Sequence, residues 1–338
     1  MRAVRRLIIA VVVLIAIAAA FAWRSAIAPV ERPAATAFAP DAVKTGSVLA
    51  ALGNCSTCHT RDGGKPFAGG RPIDTPFGTI HATNITPDPA TGIGRWSPAA
   101  FTRAVREGVS RDGRHLYPAF PYDHMAKTTN ADIAAVYAFL MTRNAVESTP
   151  PVNNLAFPYS IRSLVAGWKL LFHDGQPFKS DPTKSAEWNR GAYLVEGLAH
   201  CGSCHTPRNR FGAEDKSRAY SGGEAAGWTA PALDATSPAP IPWTAQTLAA
   251  YLAKGRPPQH GSANGPMQPV IANLVEVPPS DINAIATYVA GLAGAATPER
   301  LAAASRTFAR ASGAGAATRA PVAGPGAAIY AGACAQCH

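Results

Sequence analysis

The sequence predicts an all-α protein made of tandem copies of one small helical module with long loops, the third copy truncated. Three observations predict this. All six cysteines fall in three copies of one string, C-x-x-C-H: Cys55-Ser-Thr-Cys58-His59, Cys201-Gly-Ser-Cys204-His205 and Cys334-Ala-Gln-Cys337-His338. The same helical patterns recur at matching distances after the first two copies, which marks an internal repeat. Finally, 30 glycines and 30 prolines in 338 residues suit turn-rich connections between helices better than a sheet. That length suggests two domains and a fraction, which fits two whole modules and the start of a third.

Residues 1–24 read as an export element. Arg2, Arg5 and Arg6 precede an uncharged run from Leu7 to Trp23, and Arg24 follows. Basic residues ahead of an apolar run hold the amino terminus in the cytoplasm and send the remainder outward. Two readings stay open. Ala20-Phe21-Ala22 offers a cleavage site of the small-x-small kind, which makes a signal peptide. As a helix, the apolar run is roughly 25 Å long, close to a bilayer's hydrocarbon thickness, which makes an anchor with Trp23 at the interface.

The first module spans 42–146 and the second 186–294, with 147–185 and 295–322 as connectors and 323–338 opening the third. A helix leads into each motif, through Gly46-Ser-Val48-Leu49 and through Gly191-Ala-Tyr193-Leu194. Trp96 lies 37 residues after His59, and Trp243 lies 38 after His205. From each tryptophan runs a capped amphipathic helix. Ser97 and Thr244 are the expected N-caps, with Pro98 at the first helical position. Phe101 with Val105, and Leu248 with Leu252, share a face four residues apart. Gly108 and Gly255 stop the helices. The last helix of the first module, from Asp132 through Val136 and Phe139 to Leu140, matches Asp281 through Ile285 and Tyr288 to Val289. Asn130 and Ser280 are its expected caps. A surface helix is expected over Pro298 to Ser312, and Gly326-Ala-Ala-Ile329-Tyr330 starts the third module.

C-x-x-C-H is the attachment signature of haem c. Its two thiols add to the haem vinyl groups as thioethers, and the adjacent histidine becomes the proximal iron ligand. Zinc sites of paired C-x-x-C do not need a histidine after each pair, and a chain this long builds cores without a disulfide framework. Three covalent haems are therefore expected, at Cys55 and Cys58, Cys201 and Cys204, and Cys334 and Cys337, with His59, His205 and His338 as proximal ligands.

The opposite axial position decides whether an iron only exchanges electrons. Methionine there raises the potential relative to a second histidine and closes the site. Met267, in the turn-rich Gly265-Pro266-Met267-Gln268-Pro269, is placed to come down over the second haem. In the first module Phe120 takes that place, and the competent side chains follow it: Met125 is the expected ligand and His124 its rival. Met141, at the end of an apolar helix, reads as core or surface filling. A carbonyl of Thr206-Pro207-Arg208-Asn209 is expected to hold the His205 ring. His81, His115, His173, His200 and His260 read as surface or structural.

The net charge of +10 comes from dispersed basic residues rather than a patch interleaved with aromatics, so no nucleic-acid partner is expected. Steering toward an acidic protein partner is consistent with it.

With these features in hand, residues 42–338 resemble the triple-haem cytochrome c subunits of bacterial membrane-bound dehydrogenases of the alcohol, gluconate and aldehyde group. The shared strings are Thr75-Pro-Phe-Gly-Thr79, Asn84-Ile-Thr-Pro-Asp88, Thr91-Gly-Ile-Gly94 with Trp96, Tyr117-Pro-Ala-Phe-Pro-Tyr122 and Arg190-Gly-Ala-Tyr-Leu194. The stretch from Ser185-Ala-Glu-Trp188 to Cys201, and Thr229-Ala-Pro-Ala-Leu233 with Pro242-Trp243, resemble the branch paired with molybdenum hydroxylases of the nicotinate and isoquinoline type. The resemblance implies tandem class I cytochrome c-like domains facing the periplasm. It also implies electrons passing from a dehydrogenase catalytic subunit along the haems to quinone, a terminal oxidase or another cytochrome acceptor. In that family methionine often stands where Phe120 is. The chain itself is then expected not to be an enzyme. The alternative is a haem enzyme, such as a peroxidase or sulfur-compound oxidase, working at an iron with an open sixth position.

Overall fold

A computed structural model describes residues 1–239, 241–257, 260–294 and 297–311. The third motif, with Cys334, Cys337 and His338, lies outside the described residues. The chain divides into two compact units. The first takes Met1–Ser180 with 196–200 and 209–213; the second takes Asp181–Val195, 201–208 and everything from Glu214 onward.

In the first unit, α1 (Arg2–Ala22) is the long apolar helix, and α2 (Pro40–Leu52) starts with Pro40 in its first turn and runs to the motif. Cys55–His59 itself forms the short helix α3. Strands β1 (Pro72–Thr75) and β2 (Gly78–His81) pair antiparallel. Next come α4 (Pro98–Glu107), the single turn α5 (Tyr122–Met125) and α6 (Asn130–Met141). The stretch 147–185, expected to be only a connector, instead supplies β3 (Asn154–Leu155), which pairs with β2, and helix α7 (Val165–Phe172). Both lie in the first unit.

The second unit repeats the plan. Helix α8 (Ala186–Glu196) leads to α9 (Gly202–His205); β4 (Gly223–Ala225) and β5 (Trp228–Ala230) form an antiparallel hairpin. Helices α10 (Ala245–Lys254), α11 (Met267–Leu274), α12 (Pro279–Ala293) and α13 (Pro298–Ala311) follow. The helices dominate, and the short hairpins are a departure from the all-helical expectation.

The core of each unit is the crossing of the helix that enters the motif with the late aromatic helix. A side chain at Gly46 would run into the Ala135 carbonyl and Phe139, and one at Gly191 into the Ala284 carbonyl and Tyr288. The missing Cβ lets backbones touch, so this pair of glycines sets the crossing in both units. Arg190 locks the second crossing with two 2.8 Å bonds to the Asp281 carboxylate. Trp188 meets Tyr288 edge-on at 5.0 Å. Helix α6 is buried on most sides, through Ile133, Val136, Tyr137, Leu140 and Met141. Met141 is thus core.

Capping follows the sequence for the middle helices. The Ser97 hydroxyl accepts from Ala100 N–H, and Thr244 forms a capping box with Thr247. Gly108 and Gly255 end their helices in the left-handed conformation, at φ 57° and 73°, which glycine adopts without strain. For the last helices the caps shift. Thr129, not Asn130, accepts from Asp132 N–H, and α12 starts at Pro279, with Pro278 rather than Ser280 as its N-cap. Proline fits there because the first turn has no use for its missing N–H.

Candidate haem sites

Each of the two described motifs forms a short helix whose final histidine is gripped twice. The His59 ring hydrogen-bonds through Nδ1 to the Thr83 carbonyl at 2.6 Å, and His205 through Nδ1 to the Pro231 carbonyl at 2.7 Å. The backbone carbonyls of the same histidines accept from Gly69 N–H (2.7 Å) and Gly222 N–H (2.9 Å). A carbonyl can only accept, so each Nδ1 carries the proton. The Nε2 of each imidazole is thereby left with its lone pair, the tautomer an iron ligand needs.

The carbonyls come from beyond the hairpins, 24 and 26 residues after the rings they hold. The segment expected to accept from the His205 ring, residues 206–209, does something else. Thr206 Oγ1 accepts from Tyr220 N–H at 3.0 Å, just as Thr60 Oγ1 accepts from Phe67 N–H at 3.1 Å. So the threonine after each motif histidine fixes the start of a loop, and the hairpin β1–β2 or β4–β5 returns the chain with a carbonyl at the ring. The reason is geometric: a residue adjacent in sequence cannot turn its carbonyl onto its neighbour's Nδ1 while leaving in extended conformation, as Thr60 and Thr206 do.

Electrostatics agree with a neutral, iron-ready donor set. Burial lowers the pKa of both His59 and His205, against the opposing pull of their carbonyl partners. The Cys55 and Cys201 thiols are pushed up to about 12, chiefly by burial. Zinc would require these sulfurs as thiolates, the form that burial disfavours. Thioether formation instead leaves uncharged sulfur where charge is costly. The residues present therefore fit haem c: the cysteines would hold the porphyrin, the histidines the iron, and the group would supply a one-electron couple tuned by its axial ligands.

Further along the chain, where the second iron ligand would come from, the two units share a backbone register and differ in side chain. Leu116 N–H bonds to the Gly108 carbonyl and Phe120 N–H to that of Tyr117. In the second unit Ala263 N–H bonds to Gly255 and Met267 N–H to Asn264, position for position. Phe120 thus stands where Met267 does. Met267 opens α11 rather than lying in a turn-rich loop, because Pro266 already adopts helical angles. In the first unit α5 carries both competent side chains, each buried: His124 is 7% exposed and Met125 5%. The His124 ring is engaged through Nδ1 with the Glu196 carbonyl at 2.8 Å.

Three of the remaining histidines make contacts within the fold. His115 links Ala22 and Lys169, His200 contacts the Gly53 carbonyl, and His260 stacks on Trp243 with ring centroids 3.5 Å apart.

Comparisons with known proteins agree with this geometry. The family model described as "Cytochrome c" matches residues 43–144. A nicotinate dehydrogenase subunit of Pseudomonas putida is 50% identical over 288 residues, covering 85% of this chain and 24% of that protein. The fructose dehydrogenase cytochrome subunit of Gluconobacter japonicus is 40% identical over 267 residues, 77% of this chain and 54% of that one. A diheme cytochrome c-type protein of Cereibacter sphaeroides is 40% identical over 245 residues, 70% of this chain and 81% of that one. The chain thus spans about a quarter of the first of these relatives and about half of the second. With two gripped histidines behind cysteine pairs and a relative of this similarity covered over most of its length, the chain belongs to the c-type cytochromes of the cytochrome c family.

Proposed function

We propose that this cytochrome is the electron-transfer subunit of a dehydrogenase complex at the periplasmic face of a bacterial cytoplasmic membrane, with substrate oxidation on a partner subunit. The observation that carries the reading is the repeated proximal arrangement: two histidines, each bonded through Nδ1 to a carbonyl, behind two cysteine pairs. Such iron is built to change oxidation state without changing ligands. The relatives named above as cytochrome or dehydrogenase subunits support a dehydrogenase partner. The 50% identity to the nicotinate dehydrogenase subunit favours a partner of the molybdenum hydroxylase type over a quinoprotein or flavoprotein.

In this reading the domains are 42–146, 186–294 and the start of a third at 323–338, each with one haem. Cys55, Cys58, Cys201, Cys204, Cys334 and Cys337 form the thioethers, and His59, His205 and His338 are proximal. Met267 closes the second iron. Met125 closes the first; its burial and the engagement of the neighbouring His124 ring with Glu196 favour it over His124. Electrons leave to membrane quinone, a terminal oxidase or another cytochrome, and α1 tethers the chain to the membrane. Its 21 residues have the length and apolarity to cross a bilayer, and its apolar run is not buried inside the chain.

The test is reduction by the partner. The cytochrome is matured with haem-attachment machinery and mixed with its dehydrogenase subunit. Adding the dehydrogenase substrate should then reduce the haem bands in step with substrate loss, and the cytochrome alone should oxidise nothing. Turnover by the isolated cytochrome would contradict the reading.

A further inference from the structure

Among the described residues outside α1, exposed large apolar side chains concentrate along the segment 157–171. Leu164, Leu170 and Leu171 are 53%, 71% and 71% exposed, and Phe157 is 81% exposed. On α7 the buried positions are Val165 and Ala166, so the leucines form the opposite stripe. This helix therefore presents apolar side chains both inward and outward.

Its place in the fold identifies what covers it. Helix α1 contacts α7 and the turn Arg162–Leu164 just before it. One imidazole fixes their relative level: His115 bonds through Nε2 to the carbonyl of Ala22, the last residue of α1, and through Nδ1 to Lys169 Nζ of α7 at 3.0 Å. The chain leaving α1 is pinned without slack. Arg103 donates to the Ser25 carbonyl at 2.7 Å, Ile27 N–H to Arg111 at 2.8 Å, and Val30 N–H to Arg95 at 3.1 Å. So α7 sits level with the outer end of the bilayer-length helix, where the headgroup layer begins. Side chains at the end of α1 and ahead of α7 suit that layer: Trp23 and Tyr159 are exposed aromatics, Arg24 bonds the Trp23 carbonyl, and Arg162 lies over the Tyr117 ring.

We propose that the outer face of α7 lies in the headgroup layer of the membrane that α1 enters, giving the first unit a second lipid contact of its own. This rests on the reading of α1 as a membrane element. A protein partner would cover the same leucines, yet nothing would then relate them to the end of α1.

The test is hydrogen exchange of the full haem-loaded chain, with and without mixed phosphatidylethanolamine–phosphatidylglycerol vesicles, alongside the mass of its amino terminus. The amides of 161–172 should exchange about tenfold more slowly on vesicles, as expected for an interfacial helix. That protection should vanish in L170D/L171D, and in the milder L170S/L171S, with haem spectra unchanged. If residues 1–22 are intact and inserted while 161–172 exchange alike in both conditions, the proposal fails and the anchor stands. If residues 1–22 prove cleaved, continued vesicle binding through 161–172 upholds the proposal while the anchor reading falls. Loss of binding in that case overturns it. Protection of 161–172 by the dehydrogenase partner without lipid also overturns it.

Discussion

In the first unit Phe120 occupies the backbone position that Met267 holds in the second, although the hydrogen bonds leading to the two residues match one for one. On the proximal side there is no such divergence. His59 and His205 receive the same two grips, from a carbonyl on the ring and a glycine N–H on the backbone. The contrast separates what main chain controls from what side chains control. Backbone carbonyls fix the proximal imidazole whatever the local sequence, as Thr83 and Pro231 do with unlike neighbours. The residue at the Phe120 and Met267 position is one side chain on a short turn, and it differs between the units while the backbone bonds leading to it match. If these positions serve as proposed, two irons in similar scaffolds would hold different potentials.

The sharpest way to break the likeness is at the helix crossings. Gly46→Ala and Gly191→Ala should each cost about 3 kcal/mol, the upper end for overpacking, because the new methyl meets a carbonyl rather than a yielding side chain. Thermal melts followed by haem absorbance should show one unit melting early in each variant. Equal melting to wild type would mean the crossings are looser than described.

Next in size is the distal difference. Met267→Ala should lower one midpoint on the order of 100 mV, within the range of about 0.8 V that axial ligands span. It should also remove a methionine–iron charge-transfer band. Met125→Ala should do the same to the other haem, whereas H124A should leave both bands in place. A band that M125A leaves unchanged, with the midpoint of the first haem shifted in H124A, would reassign the first ligand to the histidine.

Much of the site is legible in the sequence, but unevenly. The motifs, the middle helices and their caps at Ser97 and Thr244 follow from local chemistry, which a sequence displays directly. The hairpins do not: β4 and β5 are three residues each, too short for alternation to show. The carbonyls that grip the histidines were out of reach for the same reason, being contacts across 24 and 26 residues. One signal was available, since threonine follows the histidine in both of the first two motifs. The shift from Asn130 to Thr129 shows how two adjacent capping residues compete, a contest that helix register settles rather than composition.

Smaller effects sharpen the comparison further. Ser97→Ala and Thr244→Ala remove side-chain caps and should each cost about 1 kcal/mol, measurable as a lower denaturation midpoint. The smallest concerns Asp88 in the first unit. Its carboxylate accepts from Thr91 N–H (2.6 Å), Thr91 Oγ1 (2.8 Å) and Ala90 N–H (3.1 Å), which lower its pKa, the Thr91 backbone bond most. A lowered carboxylate stabilises the fold above its unfolded value, near ~3.9, and that stability is lost as pH falls through the folded value. The acid limb of first-unit stability should therefore flatten in Asp88→Asn, and a limb unchanged from wild type would remove Asp88 from the account.

The most direct measurement is haem counting by mass spectrometry on protein matured in a haem-ligating host, with C55A/C58A and C201A/C204A beside the wild type. The account predicts that each double variant loses one covalently bound haem and keeps the others. Wild-type protein that carries zinc, or no covalent haem at either pair, would contradict it.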